Sequence, residues 1–94
     1  MLHLPYGVAS FTASQNALST NAEVIFAARP TRVRAVVKNL DAAISIYIGA
    51  ADTVSSTTGL TLLAGESVEV FTTAAIYAIA ASGTPSVGLM EEYA

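Results

Sequence analysis

Hydrophobic and polar residues alternate with a period of two along much of this chain. In V-R-A-V-V-K-N, Val33, Ala35 and Val37 fall on one side, while Arg32, Arg34 and Lys38 fall on the other together with Val36. In I-S-I-Y-I-G, Ile44, Ile46 and Ile48 oppose Ser45 and Tyr47. In S-V-E-V, Val68 and Val70 oppose Ser67 and Glu69. A strand with one buried face gives this pattern, because successive side chains leave the backbone on opposite sides. Three further runs read as strands. Val24, Ile25 and Phe26 form one that ends before Pro30, which cannot extend a ladder. I-Y-A-I-A has alanines, a preceding Thr and a following Gly that would suit a short helix, but its Ile-Tyr-Ala-Ile core and neighbouring turns favour a buried strand. S-V-G-L-M-E-E closes the chain with Val87 and Leu89 on one side.

Turn chemistry separates these runs. Asn39 to Ala42 predicts a turn, and with it an antiparallel hairpin between the runs on either side. Ala64-Gly65-Glu66 predicts a second hairpin, with Gly65 free to adopt positive φ. Asp52 to Gly59 predicts an exposed polar loop, and Thr84-Pro85 a turn. About seven short strands at roughly 8–12-residue spacing define an all-β chain: a single small antiparallel β-sandwich or jelly-roll-like barrel. The expected domain covers residues 23–94, preceded by an extended N-terminal arm over residues 1–22. That first segment has no sustained period, yet Leu4, Tyr6, Val8 and Phe11 are too apolar for a solvent linker. Two readings stand side by side: an arm that orders against a neighbour, or a frayed terminus or first edge strand.

Composition adds a demand for partners. A domain of 94 residues buries only about 60–65% of its unfolded surface. No cysteine is present to add a disulfide, so self-association or docking onto a larger body is the expected source of extra stability. Only 12% of residues are charged, against about a quarter in an average soluble domain. A surface so poor in charge points to covered area. The net charge of −3 disfavours nucleic acid, which calls for excess cations. No apolar run is long enough to span a bilayer. The start M-L-H-L-P-Y-G has neither the basic residues nor the apolar run of a signal peptide, so the expected origin is cytosolic.

Nothing in the residues suggests catalysis, and the chain is not expected to be an enzyme. The single histidine, His3, stands near the start, where no third group holds it as a Ser–His–Asp relay requires. No His, Cys or carboxylate set matches a zinc site or a calcium loop, and no glycine-rich phosphate cradle occurs. No cofactor and no metal are therefore expected. Glu66 and Glu69 are placed on opposite faces of one strand, and Glu91 and Glu92 in a solvated tail or a polar contact. The charge asymmetry lies in the cations: Arg29, Arg32, Arg34 and Lys38 all fall within ten residues. The plain reading is a solvated outer strand face; the functional one is a strip that docks on an acidic protein surface.

Four stretches carry a resemblance: V-R-A-V-V-K-N-L-D, I-S-I-Y-I-G, T-T-G-L-T-L-L-A-G-E-S-V-E-V and A-I-Y-A-I-A-A-S-G-T-P-S-V. Over roughly residues 32–92 their order resembles small virion proteins encoded in tailed-phage structural gene modules. The resemblance implies a β-sandwich that decorates or cements a capsid, made in the host cytoplasm and carried on the capsid surface. It implies the major capsid protein as partner and a homo-oligomer, a trimer at local threefold axes, with a terminal arm reaching neighbouring subunits. The expected interface residues are Leu4, Tyr6, Phe11, Arg29, Arg32, Arg34 and Lys38, with no nucleic acid and no membrane involved. The alternative is a receptor- or glycan-binding module of a head fibre or tail, with the Asp52–Gly59 loop as its candidate site.

Overall fold

A computed structural model of the protein describes residues 10–94. Eight strands follow one another: β1 (Ser10–Ala17), β2 (Glu23–Phe26), β3 (Arg32–Asn39), β4 (Ile46–Gly49), β5 (Leu60–Leu62), β6 (Ser67–Val70), β7 (Ile76–Ala80) and β8 (Ser86–Tyr93). They form two antiparallel sheets, in the orders β1-β8-β3-β6 and β2-β7-β4-β5. The pairing is nested: β1 with β8, β2 with β7, β3 with β6, β4 with β5. The chain is thus one long hairpin rolled over on itself, the strand order of a jelly roll. The expected all-β sandwich is the fold, with eight strands among the described residues where about seven were expected.

The period-two runs give the core. Ala35 and Val37 of β3 and Val87 and Leu89 of β8 point inward from the first sheet. Phe26, Ile46, Ile48, Leu62, Ile76, Ala78 and Ala80 point inward from the second. Val68 and Val70 pack against this core from β6. Leu18, just past β1, is fully buried.

Neither expected hairpin forms. β3 and β4 lie in different sheets, as do β5 and β6. Both links are corners that carry the chain from one sheet to the other, and the alternation along a strand is the same whichever sheet it joins. Asn39 holds both corners. Its side chain is fully buried, and Nδ2 donates to the carbonyls of Ile44 (2.8 Å) and Leu62 (3.1 Å). Its backbone N–H donates to Glu66 O at 2.8 Å, and its carbonyl accepts from Gly65 N at 3.0 Å. Gly65 takes positive φ (78°) as its turn position suggested. Glu66 sits in that turn, where Oε1 accepts from Leu63 N at 2.7 Å, rather than on a strand beside Glu69.

The Asp52–Gly59 loop is pinned rather than wholly exposed. Val54 is buried against Gly49 and Gly59, where a Cβ at either glycine would lie 2.8 Å from its Cγ2. At the other end of the chain, residues 10–17 are placed in the first sheet as its edge strand, with all eight positions exposed. Of the segment expected as an arm, residues 1–9 lie outside the described residues.

Candidate interaction surface

The outer face of the β1-β8-β3-β6 sheet carries most of the residues that stand out chemically. Because Ala35 and Val37 point inward, Arg34, Val36 and Lys38 point outward from β3. Register places Glu92 beside Arg34, Met90 beside Val36 and Gly88 beside Lys38. It continues the rows onto β1, with Phe11 beside Glu92, Ala13 beside Met90 and Gln15 beside Gly88. On the other flank, Glu69 stands beside Val36 and Ser67 beside Lys38.

Two depressions mark this face. A shallow one of about 420 Å³ is lined by Ala13, Val36, Lys38, Leu40, Gly88 and Met90. Gly88 leaves its floor open, and the Leu40 side chain lies over that glycine. A second, of about 260 Å³, is lined by Val33, Arg34, Glu69, Phe71 and Glu92. Phe11 and Phe71, at opposite margins of the sheet, are 65% and 70% exposed. Large exposed aromatics gathered on one face are a usual mark of an interface.

The expected basic strip is not one surface. Arg32 lies inside, its side chain 0% exposed. A β-bulge between Arg32 and Arg34 in the β3–β8 pairing is the cause: one extra residue on β3 turns Arg32 to the side opposite Arg34. Arg32 Nε donates to Glu91 Oε2 at 2.8 Å. Its other nitrogens donate to the carbonyls of Thr72 (3.0 Å), Ala74 (2.8 Å) and Ala27. The guanidinium also lies 5.4 Å from the Phe26 ring centroid. It therefore ties together β8, the β2–β3 link and the β6–β7 link.

Arg29 completes that cluster from the β2–β3 link. It pairs with Glu91 at 3.2 Å and stacks 3.8 Å from the Tyr93 ring centroid. Arg34, half-buried, pairs with Glu92 and with Glu69 at 3.0 Å. Lys38 is exposed beside the larger depression. The outer face thus sets Arg34 and Lys38 against Glu69 and Glu92, and its charges balance. Of the seven expected interface residues, Phe11, Arg34 and Lys38 share this face. Arg32 is buried, Arg29 lies with the Glu91 cluster, and Leu4 and Tyr6 fall outside the described residues. Sequence reasoning set Val36 on the cation side without counting it as an interface residue. It missed Phe71, Met90 and Leu40, whose signal was an apolar residue on the outward side of a strand or at its end.

Every buried side-chain nitrogen or oxygen among the described residues has a hydrogen-bond partner, and none of their acidic, His or Cys side chains gather in a group of three that would hold a metal. One carboxylate has a shifted affinity for protons. Asp41 Oδ2 accepts from the backbone N–H groups of Ile44 (2.7 Å) and Ala43 (2.9 Å). These bonds, that of Ile44 foremost, hold its pKa below the ordinary aspartate value. This is corner chemistry, not a reaction centre.

No protein-family model matches the chain, and no curated protein matches it. Solved structures do. The chain is similar to the stem and receptor-binding domain of the spike protein P1 of bacteriophage PM2, at 17% identity and a TM-score of 0.64. The match covers 87% of this chain and 33% of the spike chain, so it spans about a third of that protein. It is also similar to a chain from Bacillus endospore appendages, described as a family of disulfide-linked pili, at 13% identity and a TM-score of 0.53. That match covers 99% of this chain and 96% of the appendage chain. These likenesses establish a shared fold.

Proposed function

We propose that this protein is a non-catalytic virion structural module, a decoration or cement-like protein that attaches to the outer surface of a capsid and stabilises the head. Its partner on this reading is the major capsid protein, and its place is the particle surface. The observation that carries the reading is the outer face of the β1-β8-β3-β6 sheet: a row of Ala13, Met90 and Val36 with Leu40 beside it, Phe11 and Phe71 at the margins, and paired charges between them. Such a face binds by apolar burial, with the Arg34 ion pairs setting register rather than attracting an acidic partner. Jelly rolls serve viral capsids widely, and the likeness in fold to a phage spike domain and to an appendage subunit agrees with a particle-surface role.

Co-sedimentation with particles assembled from the accompanying capsid genes tests this. Val36→Glu combined with Phe71→Ser should abolish attachment while leaving the melting temperature within a few degrees, since both side chains point away from the core. Full attachment of a folded double variant would refute the assignment of this face.

A second reading, receptor or glycan binding, has one observation in its favour besides the spike likeness. A depression of about 340 Å³ outside the β2-β7-β4-β5 sheet is lined by Thr20, Tyr47, Ser55, Ser56, Ile79 and Ala81, an aromatic beside hydroxyls. Much of that hydroxyl chemistry is engaged locally, with Ser55 Oγ 3.1 Å from both Thr57 Oγ1 and Thr58 Oγ1. Binding to a glycan array that Tyr47→Ala removes would favour this reading over attachment.

A further inference from the structure

Each sheet of a sandwich ends in two edge strands, and an unprotected edge is a template for another chain. Three of the four edges here are blunted. β5 is three residues long; β2 and β6 have four each and carry Glu23 and Glu69. The fourth, β1, is different. It runs for eight residues as S-F-T-A-S-Q-N-A, with no charge and no proline. β8 pairs with one side of it along the whole length. No strand among the described residues pairs with the other side.

Both of its side-chain rows are exposed as well. Thr12, Ser14 and Asn16 stand on the inward side, beside Glu91, Leu89 and Val87 of β8. Those three β8 residues are buried, whereas the β1 residues next to them are not covered by the opposite sheet. β1 therefore projects past the sandwich as a bare ledge.

We propose that β1 is a self-pairing edge, at which two copies join β1 to β1 antiparallel about a two-fold axis and merge their sheets into one of eight strands. Length and charge select this occupant. A second β1 offers eight residues, seven of which pair with the axis on Ala13 or on Ser14, without like charges. The far edge of the same sheet, β6, offers four residues and Glu69. A two-fold axis perpendicular to the sheet keeps outer faces on one side, so the axis passes through Ala13 or Ser14. With Ala13 on the axis, Phe11 lies beside Gln15 of the second copy; with Ser14 on it, Phe11 lies beside Ala17. Either way the apolar outer faces of the two copies become continuous. The contact is isologous and closes at two. An edge contact of this size belongs with small interfaces, and dissociation on the order of micromolar is expected.

The inference does not depend on capsid attachment, and its test uses the full chain with no particle present. The chain has no cysteine, so each single-cysteine variant reports only on itself. Mild oxidation of Ala13→Cys or Ser14→Cys should yield covalent dimer at least about ten-fold faster than Ser67→Cys on β6, because only a residue on the axis meets its own copy. Sedimentation equilibrium of the unmodified chain should give a monomer–dimer fit, and Thr12→Lys with Ser14→Lys should raise the dissociation constant at least about ten-fold. A monomer at all concentrations, a trimer, or preferred cross-linking through Ser67 would each overturn the proposal. So would protection of the β1 amides from hydrogen exchange in a monomer, which would mean that the chain's own remaining residues cover the edge.

Discussion

Replacing Arg32 with Met separates a structural arginine from a docking one. The substitution keeps a long apolar stem and removes the charge. It leaves the carbonyls of Ala27, Thr72 and Ala74 without the donor they share, and removes the 2.8 Å partner of Glu91. Breaking a buried pair by removing one partner costs about 3–5 kcal/mol, because the other group is left uncompensated. Arg29, 3.2 Å from Glu91, offsets part of this, so the lower end, about 3 kcal/mol, is the expected loss. For a domain of this size that lowers the melting temperature by roughly 12 °C or more. It removes a large part of a total stability of about 5–15 kcal/mol. Urea titration followed by far-ultraviolet circular dichroism measures it. Arg34→Met is the control: its ion pairs are half exposed, and about 1 kcal/mol or less is expected. A double-mutant cycle with Glu91→Gln should show coupling between positions 32 and 91. If Arg32→Met costs under about 1 kcal/mol, or no more than Arg34→Met, then Arg32 is not the tie that its buried bonds indicate, and the physical argument fails.

Further outcomes follow from the corners and turns. Asn39→Ala should cost about 2–4 kcal/mol in the same titration, since it strands the Ile44 and Leu62 carbonyls inside the protein. Asp41→Asn should lower the urea midpoint near neutral pH. The lowered pKa means that the carboxylate's contribution is present above the ordinary aspartate value of 3.8 and is lost as pH falls through the folded value. The gap between parent and variant should therefore narrow as pH falls below 3.8, and a gap that stays constant through that fall would count against the backbone bonds as its cause. Gly65→Ala should cost about 1 kcal/mol from positive φ alone, as a Cβ there meets nothing within 4 Å. Gly59→Ala should cost about 1–3 kcal/mol by forcing Val54 and Tyr47 apart.

What the sequence made legible was what a period of two can express. Ala35 and Val37, Ile46 and Ile48, and Val87 and Leu89 were readable because each pair buries one side, with Val68 and Val70 packed against them. Val33, at the bulge, lines the outer depression beside Arg34 instead, and Ile44 lies before β4. The choice of a buried strand for I-Y-A-I-A holds in β7. The corners were not readable, because alternation says which side is buried and not which sheet a strand joins. The decisive residue there, Asn39, looks in sequence like any turn asparagine. The position of Arg32 was lost for a related reason: a single extra residue at the bulge reverses a side chain, and alternation read through it put Arg32 with Arg34 and Lys38. The cation cluster looked like a strip because its carboxylate partners, Glu69, Glu91 and Glu92, are distant in sequence. β1 was legible only as one of two readings of the first segment, a first edge strand beside an arm, because neither of its rows is buried and S-F-T-A-S-Q-N-A has no apolar period to decide between them.

On the proposed capsid-attachment reading, the same features set how so small a domain would hold to a particle. Three of its four cations are spent internally: Arg32 and Arg29 on Glu91, Arg34 on Glu92 and Glu69. The outer face keeps Lys38 beside these pairs, so attachment through it, as proposed, would rest mainly on apolar area, which salt does not screen. One such face binds weakly, because losing translational and rotational freedom opposes it in full for each free copy. Two faces joined along β1 by the proposed pairing would oppose it once for both, and the second contact would then form at a high effective concentration. Unlike the disulfide-linked appendages whose fold it shares, this chain has no cysteine to make such a link permanent. Its attachment should therefore be reversible on dilution and insensitive to reductant. It should weaken far less between low and high salt than a basic strip would allow. Co-sedimentation across a salt series, with and without reductant, measures this, and a steep loss of binding with salt would return the cations to the centre of the mechanism.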